Sequence, residues 1–152
     1  MILFLLAEPG IQVQHTGITV SDIDYYVDIF TRLFGFSMAS PVCLYDDPKF
    51  ELITGVKGAR IKIAFLELDG FQIELLEYLV DEAKRKSDLE PCNPGHMHLN
   101  FKVTGIENYF DDLVSEGFKP AGEIQYVEQD NLKAIYLTGP DNIVIELMEF
   151  MA

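Results

Sequence analysis

Two histidines and two glutamates stand in matched surroundings along this chain. His15 opens the stretch His15-Thr-Gly-Ile-Thr-Val-Ser-Asp-Ile23, and His98 opens His98-Leu-Asn-Phe-Lys-Val-Thr-Gly-Ile106. Glu74 lies within Phe71-Gln-Ile-Glu-Leu-Leu-Glu-Tyr78, and Glu146 within Ile143-Val-Ile-Glu-Leu-Met-Glu-Phe150. Two imidazole nitrogens and two carboxylates suit a borderline-hard divalent ion such as Ni, Co, Zn, Mn or Fe(II). If the two copies are related by a pseudo-twofold axis, the four groups converge on it. Four protein donors in an octahedral shell leave two positions for water or a chelating substrate, whose developing negative charge the ion stabilises.

Taken singly, these residues have plainer explanations. A lone strand histidine is ordinarily a hydrogen-bonded surface or core residue. A glutamate between isoleucine and leucine can face solvent on a half-buried sheet. Duplication of the His and Glu positions with their local context is what alternation alone does not require. Glu77 and Glu149 have the opposite strand parity from Glu74 and Glu146 and read as solvated terminal acids. His96 shares a strand face with His98. The match of His98–Ile106 to His15–Ile23 selects His98, which leaves His96 as a supporting group or a substrate contact.

The elements that carry these residues follow from periodicity. Residues 12–20 read as a strand with His15, Gly17 and Thr19 on one face. Ser21-Asp-Ile-Asp24 reads as a capping box with Ser21 as the cap. Ile23, Tyr26, Val27, Phe30, Leu33 and Phe34 then recur at helical spacing up to Gly35. Residues 36–45 read as a strand broken near Pro41, and 46–58 as a loop with one short helical turn that the second half lacks. Strands are expected over 59–68 and 71–78 around the Asp69-Gly70 turn. Residues 80–94, rich in charge and proline, read as a linker with a short helical piece at 82–86. The second half repeats the scheme: a strand over 95–103, a capping box at Thr104-Gly-Ile-Glu107, a helix ending at Gly117, a hairpin of 122–128 with 131–137, and a last strand over 143–150. The chain therefore reads as one domain, 1–152, of two modules, 11–79 and 95–150. Each runs strand, helix, strand, strand, strand.

Composition narrows the partners. With 11 Lys plus Arg against 25 Asp plus Glu, the net charge of -14 excludes nucleic acid and anionic membrane as expected partners. Cys43 and Cys92 make no disulfide framework and read as reduced. The apolar residues 1–7 are too short to span a membrane and read as an edge strand or an arm on a partner. A cytoplasmic protein acting on a small molecule is the expectation.

The four positions together resemble the vicinal oxygen chelate superfamily: glyoxalase I, methylmalonyl-CoA epimerase, extradiol dioxygenases, and fosfomycin and bleomycin resistance proteins. The resemblance runs from Gln14 to Phe150. It implies an α+β fold of paired βαβββ modules forming a cupped, incomplete barrel around a divalent metal, with His15, Glu74, His98 and Glu146 as ligands. The His, Glu, His, Glu set is similar to glyoxalase I. That implies a lyase or isomerase in which a base removes the proton beside a carbonyl and the metal stabilises the enediolate. By the same resemblance Glu146 is the base and Glu74 the opposing acid or base. Thr19 stands where glutathione-dependent members commonly carry arginine, and the opening segment resembles the epimerases more closely. An acyl-CoA epimerase, a non-catalytic small-molecule binding or resistance protein, and an Fe(II) dioxygenase are therefore the alternatives. Arg60, Lys62, His96 and Lys102 are the candidate substrate contacts, with a solvated face as the alternative for the three cations. Tyr45, Tyr126 and Tyr136 line the cup or pack at its rim. Two-module members are often homodimers, which is the expectation here.

Overall fold

The computed structural model describes residues 11–81 and 87–151. The N-terminal arm and the helical piece at 82–86 expected from the sequence lie outside them. The chain divides into two compact units, Met1–Val80 and Asp81–Ala152. The architecture is α+β, built from paired βαβββ modules that form two open mixed sheets.

The first unit runs β1 (Thr16–Thr19), α1 (Ile23–Arg32), β2 (Ser37–Met38), β3 (Cys43–Tyr45), α2 (Lys49–Thr54), β4 (Ile61–Leu68) and β5 (Phe71–Tyr78). The sheet order is β1-β5-β4-β2, with β3 also on β4. β2 and β3 are thus two pieces of one edge strand, interrupted around Pro41, whose missing N–H cannot join a ladder. β1 runs parallel to β5, and the other pairings are antiparallel. β4 and β5 close on Asp69 and Gly70, both at positive φ (50° and 77°), as a type I′ hairpin requires.

Strand parity gives this sheet two apolar faces. Ala64, Leu66, Ile73 and Leu75 are fully buried on the face that also carries Glu77 and meets α1, whose Ile23, Tyr26, Ile29 and Phe30 are buried too. Each large side chain so buried is worth about 1.5–3 kcal/mol. The opposite face carries Ile61, Ile63, Phe65, Leu76 and Tyr78, and Phe50 and Val56 from the segment around α2 cover part of it. The short helical turn expected within 46–58 is α2, which buries no residue completely.

The second unit runs β6 (His98–Lys102), α3 (Ile106–Ser115), β7 (Lys119–Pro120), β8 (Gln125–Val127), β9 (Leu132–Thr138) and β10 (Val144–Phe150). Its order, β6-β10-β9-β7 with β8 also on β9, repeats the first sheet. The split edge strand recurs as β7 and β8, of which the sequence shows only the second piece. Ile135, Leu137, Ile145 and Leu147 are buried together with Ile106 and Leu113 of α3. Among the described residues no helix is long and apolar enough to cross a membrane.

Both helix starts correct the sequence reading. The cap of α1 is Asp22, not Ser21, and its carboxylate accepts the Tyr25 N–H at 3.0 Å. Asp22 holds the extended backbone (φ -145°, ψ 101°) that a cap needs. α3 starts on Gly105 at φ 79°, and no side chain of its own segment caps it. Thr104 therefore does not close a capping box.

Candidate functional site

The parallel pairing at each sheet edge fixes where the histidines fall. Gly17, two residues after His15, lies opposite Glu74. Asn100, two residues after His98, lies opposite Glu146. With the same offset in both units, each histidine reaches its glutamate: His15 Nε2 to Glu74 Oε2 is 3.1 Å, and His98 Nε2 to Glu146 Oε2 is 3.1 Å. The carboxylates are the more covered partners, 16% and 18% exposed against 31% and 39% for the imidazoles. Gly17 leaves room for this, since a Cβ there would already touch Glu74 Oε2 at 3.4 Å.

An aromatic ring completes each arrangement from the next strand. Phe65 lies opposite Glu74 and its ring stands edge-on to His15 at 5.3 Å. Tyr136 lies opposite Glu146 with its ring 5.0 Å from His98. The sequence reading names Tyr136 only as one of three tyrosines and does not pair it with Phe65. The two hairpins have turns of different length, so the aromatics stand at different spacings from their glutamates. Burial, and then the charge of Glu146, push the Tyr136 phenol above its ordinary value, so it stays protonated through neutral pH.

The supports of the two imidazoles differ. His15 Nδ1 meets Gln14 Oε1, and Gln14 Nε2 donates to Gln72 Oε1. This amide chain holds the His15 ring from its Nδ1 side while Nε2 faces Glu74. At the matching places the second unit has Met97 and Val144, which offer no such side-chain hydrogen bond.

The remaining candidates fall elsewhere. Lys62 is on the α1 face of its sheet, opposite Glu77, and its ammonium is 3.1 Å from that carboxylate. Arg60 precedes β4 and lines a cavity of about 260 Å³ with Asp46, Pro48 and Glu51. Lys102 shares the parity of His98 and stands over the Phe150 ring at 5.2 Å. His96 is half-buried just before β6, and its backbone N–H donates to Asn93 O at 3.1 Å. The Tyr45 ring lies tilted against Phe50 at 5.1 Å, and the Tyr126 hydroxyl donates to Asn131 at 2.7 Å.

Glu77 and Glu149 are not solvated terminal acids. Glu77 accepts the Ile23 N–H at 3.1 Å. Glu149 accepts those of Gly105 at 2.5 Å and Ile106 at 3.3 Å. Each binds the otherwise unpartnered N–H groups that begin a helix, where the helix dipole favours a negative charge. Strand parity sends them to the helix side of the sheet, so the sequence reading was right about the face and wrong about solvent, since a helix start waits there.

A His nitrogen and a carboxylate oxygen at this separation can share a proton or bind one ion. Two donors each about 2.0–2.2 Å from a single ion, near a right angle, lie about 3 Å apart, so the pairs fit cis coordination as they stand. Among the described residues no three His, Cys, Asp or Glu groups gather at one point, and each unit brings together two.

The model of the Glyoxalase/Bleomycin resistance protein/Dioxygenase superfamily matches residues 12–147. The chain belongs to this superfamily. Solved structures of the superfamily fold agree. A glyoxalase family protein from Bacillus cereus superposes with a TM-score of 0.78 at 20% identity, covering 96% of this chain and 100% of the other. One from Enterococcus faecalis gives 0.63 at 20% identity, covering 91% and 97%. The fosfomycin resistance protein FosX from Listeria monocytogenes, in a complex with Mn(II) and 1S,2S-dihydroxypropylphosphonic acid, gives 0.59 at 15% identity, covering 92% and 90%. No match was found among the curated proteins.

Proposed function

We propose that this superfamily member is a divalent-metal-dependent lyase or isomerase of glyoxalase type, with His15, Glu74, His98 and Glu146 as its metal ligands. The observation that carries the reading is the repeated His–Glu pair, at one separation and one strand register in both units. A bound divalent ion would polarise a substrate carbonyl and stabilise negative charge on its oxygen. The chain's own groups do the rest. The Glu146 carboxylate takes the proton from the carbon beside the carbonyl, and Glu74 is the opposing acid or base that returns a proton. Return to the neighbouring carbon isomerises, and return to the opposite face epimerises. The Tyr136 phenol, held protonated, donates a hydrogen bond toward the charge that develops on oxygen.

One feature favours an acyl-CoA epimerase as a second reading. Thr19 lies opposite Leu76 on the Glu74 face, so the place where glutathione-type members commonly hold arginine carries no cation. Both readings share the proton chemistry and separate by substrate.

Two measurements test the proposal. Protein exposed to Mn(II), Co(II) or Ni(II) and then dialysed should retain metal by elemental analysis, and His15→Ala and His98→Ala should each lose most of it. Solvent deuterium should enter the hemithioacetal of methylglyoxal and glutathione, or methylmalonyl-CoA, in the wild type and not in Glu146→Gln. Full metal retention by both histidine variants, or undiminished exchange in Glu146→Gln, overturns the assignment.

A further inference from the structure

The motif Ile-Glu-Leu-x-Glu occurs once in each unit, at Ile73–Glu77 and at Ile145–Glu149. Its first glutamate meets the histidine, and its second lies on the other sheet face and binds the start of a helix. That helix follows directly from the strand led by the histidine. In the first unit the order of attachments between the two segments is His15 to Glu74, Val20 N–H to Leu76 O at 2.8 Å, and Ile23 N–H to Glu77 at 3.1 Å. In the second it is His98 to Glu146, Val103 N–H to Met148 O at 2.8 Å, and Ile106 N–H to Glu149 at 3.3 Å. Every partner advances by the same number of residues in the two units.

We propose that Glu77 and Glu149 are positioning residues for the metal site and act as register clamps. The histidine and the glutamate of each pair come from neighbouring parallel strands, so their separation depends on how those strands are aligned along their length. Among the described residues β1 and β6 are short edge strands, each paired on one side. A carboxylate reaching from the central strand to the first N–H groups of the next helix fixes the far end of the edge strand. It does so with charge-assisted bonds that no slipped register would satisfy. The inference rests on the reading of the four residues as metal ligands and assigns the second acids a task in the same site. Outer groups that orient ligands typically change metal affinity by about 10–100-fold.

The test uses full-length protein and the metal ion alone, Mn(II) or Ni(II), titrated calorimetrically. Glu149→Ala should bind metal about 10-fold more weakly than wild type, and Glu149→Gln, which keeps a carbonyl acceptor, should recover most of that loss. The Ile106 amide should exchange faster in Glu149→Ala. Glu77→Ala and Glu77→Gln repeat the test in the other unit, should Glu149→Ala fail to fold. Unchanged metal affinity in Glu149→Ala and Glu77→Ala with a lowered unfolding midpoint makes these acids helix caps alone and overturns the inference. Wild-type affinity in Glu149→Ala and Glu77→Ala despite faster exchange of the Ile106 and Ile23 amides shows that loosening the helix start leaves the pair intact and also overturns it. Absence of metal binding by the wild type removes the underlying site reading, a result distinct from either.

Discussion

Removal of the Tyr136 hydroxyl separates chemistry from packing. The Phe65 ring beside His15 shows that a hydrocarbon ring fills this position: the ring separations are 5.3 Å for Phe65 with His15 and 5.0 Å for Tyr136 with His98. Tyr136→Phe should therefore keep the ring contact. Among the described residues the hydroxyl has no hydrogen-bond partner whose loss would register, so stability should change by less than about 0.5 kcal/mol in urea unfolding. If the phenol donates to a developing oxygen charge, the missing bond is charge-assisted and worth about 1.5–3 kcal/mol. That corresponds to a loss of about 10–150-fold in kcat/KM, measured with whichever probe shows deuterium exchange. Phe65→Tyr is the reciprocal variant and should restore nothing to Tyr136→Phe if the role belongs to the second unit. Tyrosine Cζ chemical shifts followed against pH give an independent reading. Because burial and Glu146 raise Tyr136, Glu146→Gln should lower its titration point toward the ordinary phenol value. A stability loss above about 1 kcal/mol with unchanged kcat/KM would refute the reasoning, since the hydroxyl would then be structural.

Gly139→Ala should destabilise by about 1–3 kcal/mol in urea unfolding, because a Cβ there would lie 2.7 Å from Cε1 of the buried Phe118 ring; a second substitution, Phe118→Leu, should return part of the loss. Lys62 is raised above 10.5, first by its hydrogen bond to Glu77. The sign follows: its contribution is complete below the unfolded value of 10.5 and drains away as pH climbs through the raised folded value. The stability gap between wild type and Lys62→Met, read by thermal unfolding, should stay level from neutrality up to about 10.5 and shrink above it.

How much of this was legible depends on how local each signal was. The His15 and His98 stretches and the two Ile-Glu-Leu runs carried the repeat, and with it the superfamily and the paired modules. Helix bodies were equally plain, since Ile23, Tyr26 and Phe30 mark a stripe in sequence alone. What escaped needed strand register. The two-residue turn at Asp69-Gly70 pairs Leu68 with Phe71, and counting back from it places Lys62 opposite Glu77 and Phe65 opposite Glu74. In the second unit residues 139–143 separate Thr138 from its partner Val144, so the same count lands on Tyr136 only once that longer turn is known. The caps failed for a related reason. Ser21 and Thr104 satisfy the local pattern, but the α1 cap falls one residue on at Asp22, and Glu77 and Glu149, from strands more than forty residues away, take the first helix N–H groups.

The tight turn at Asp69-Gly70 also has a consequence in time. β4 and β5 form an eight-pair ladder between segments adjacent in sequence, and such hairpins close within about 1–10 μs. β1 joins β5 only after a loop of more than fifty residues has closed, an encounter entropy makes slower. Contact order therefore predicts that Glu74 enters its strand before His15 arrives. The first His–Glu pair is completed by its histidine, which makes β1 the strand whose arrival brings Glu74 its partner.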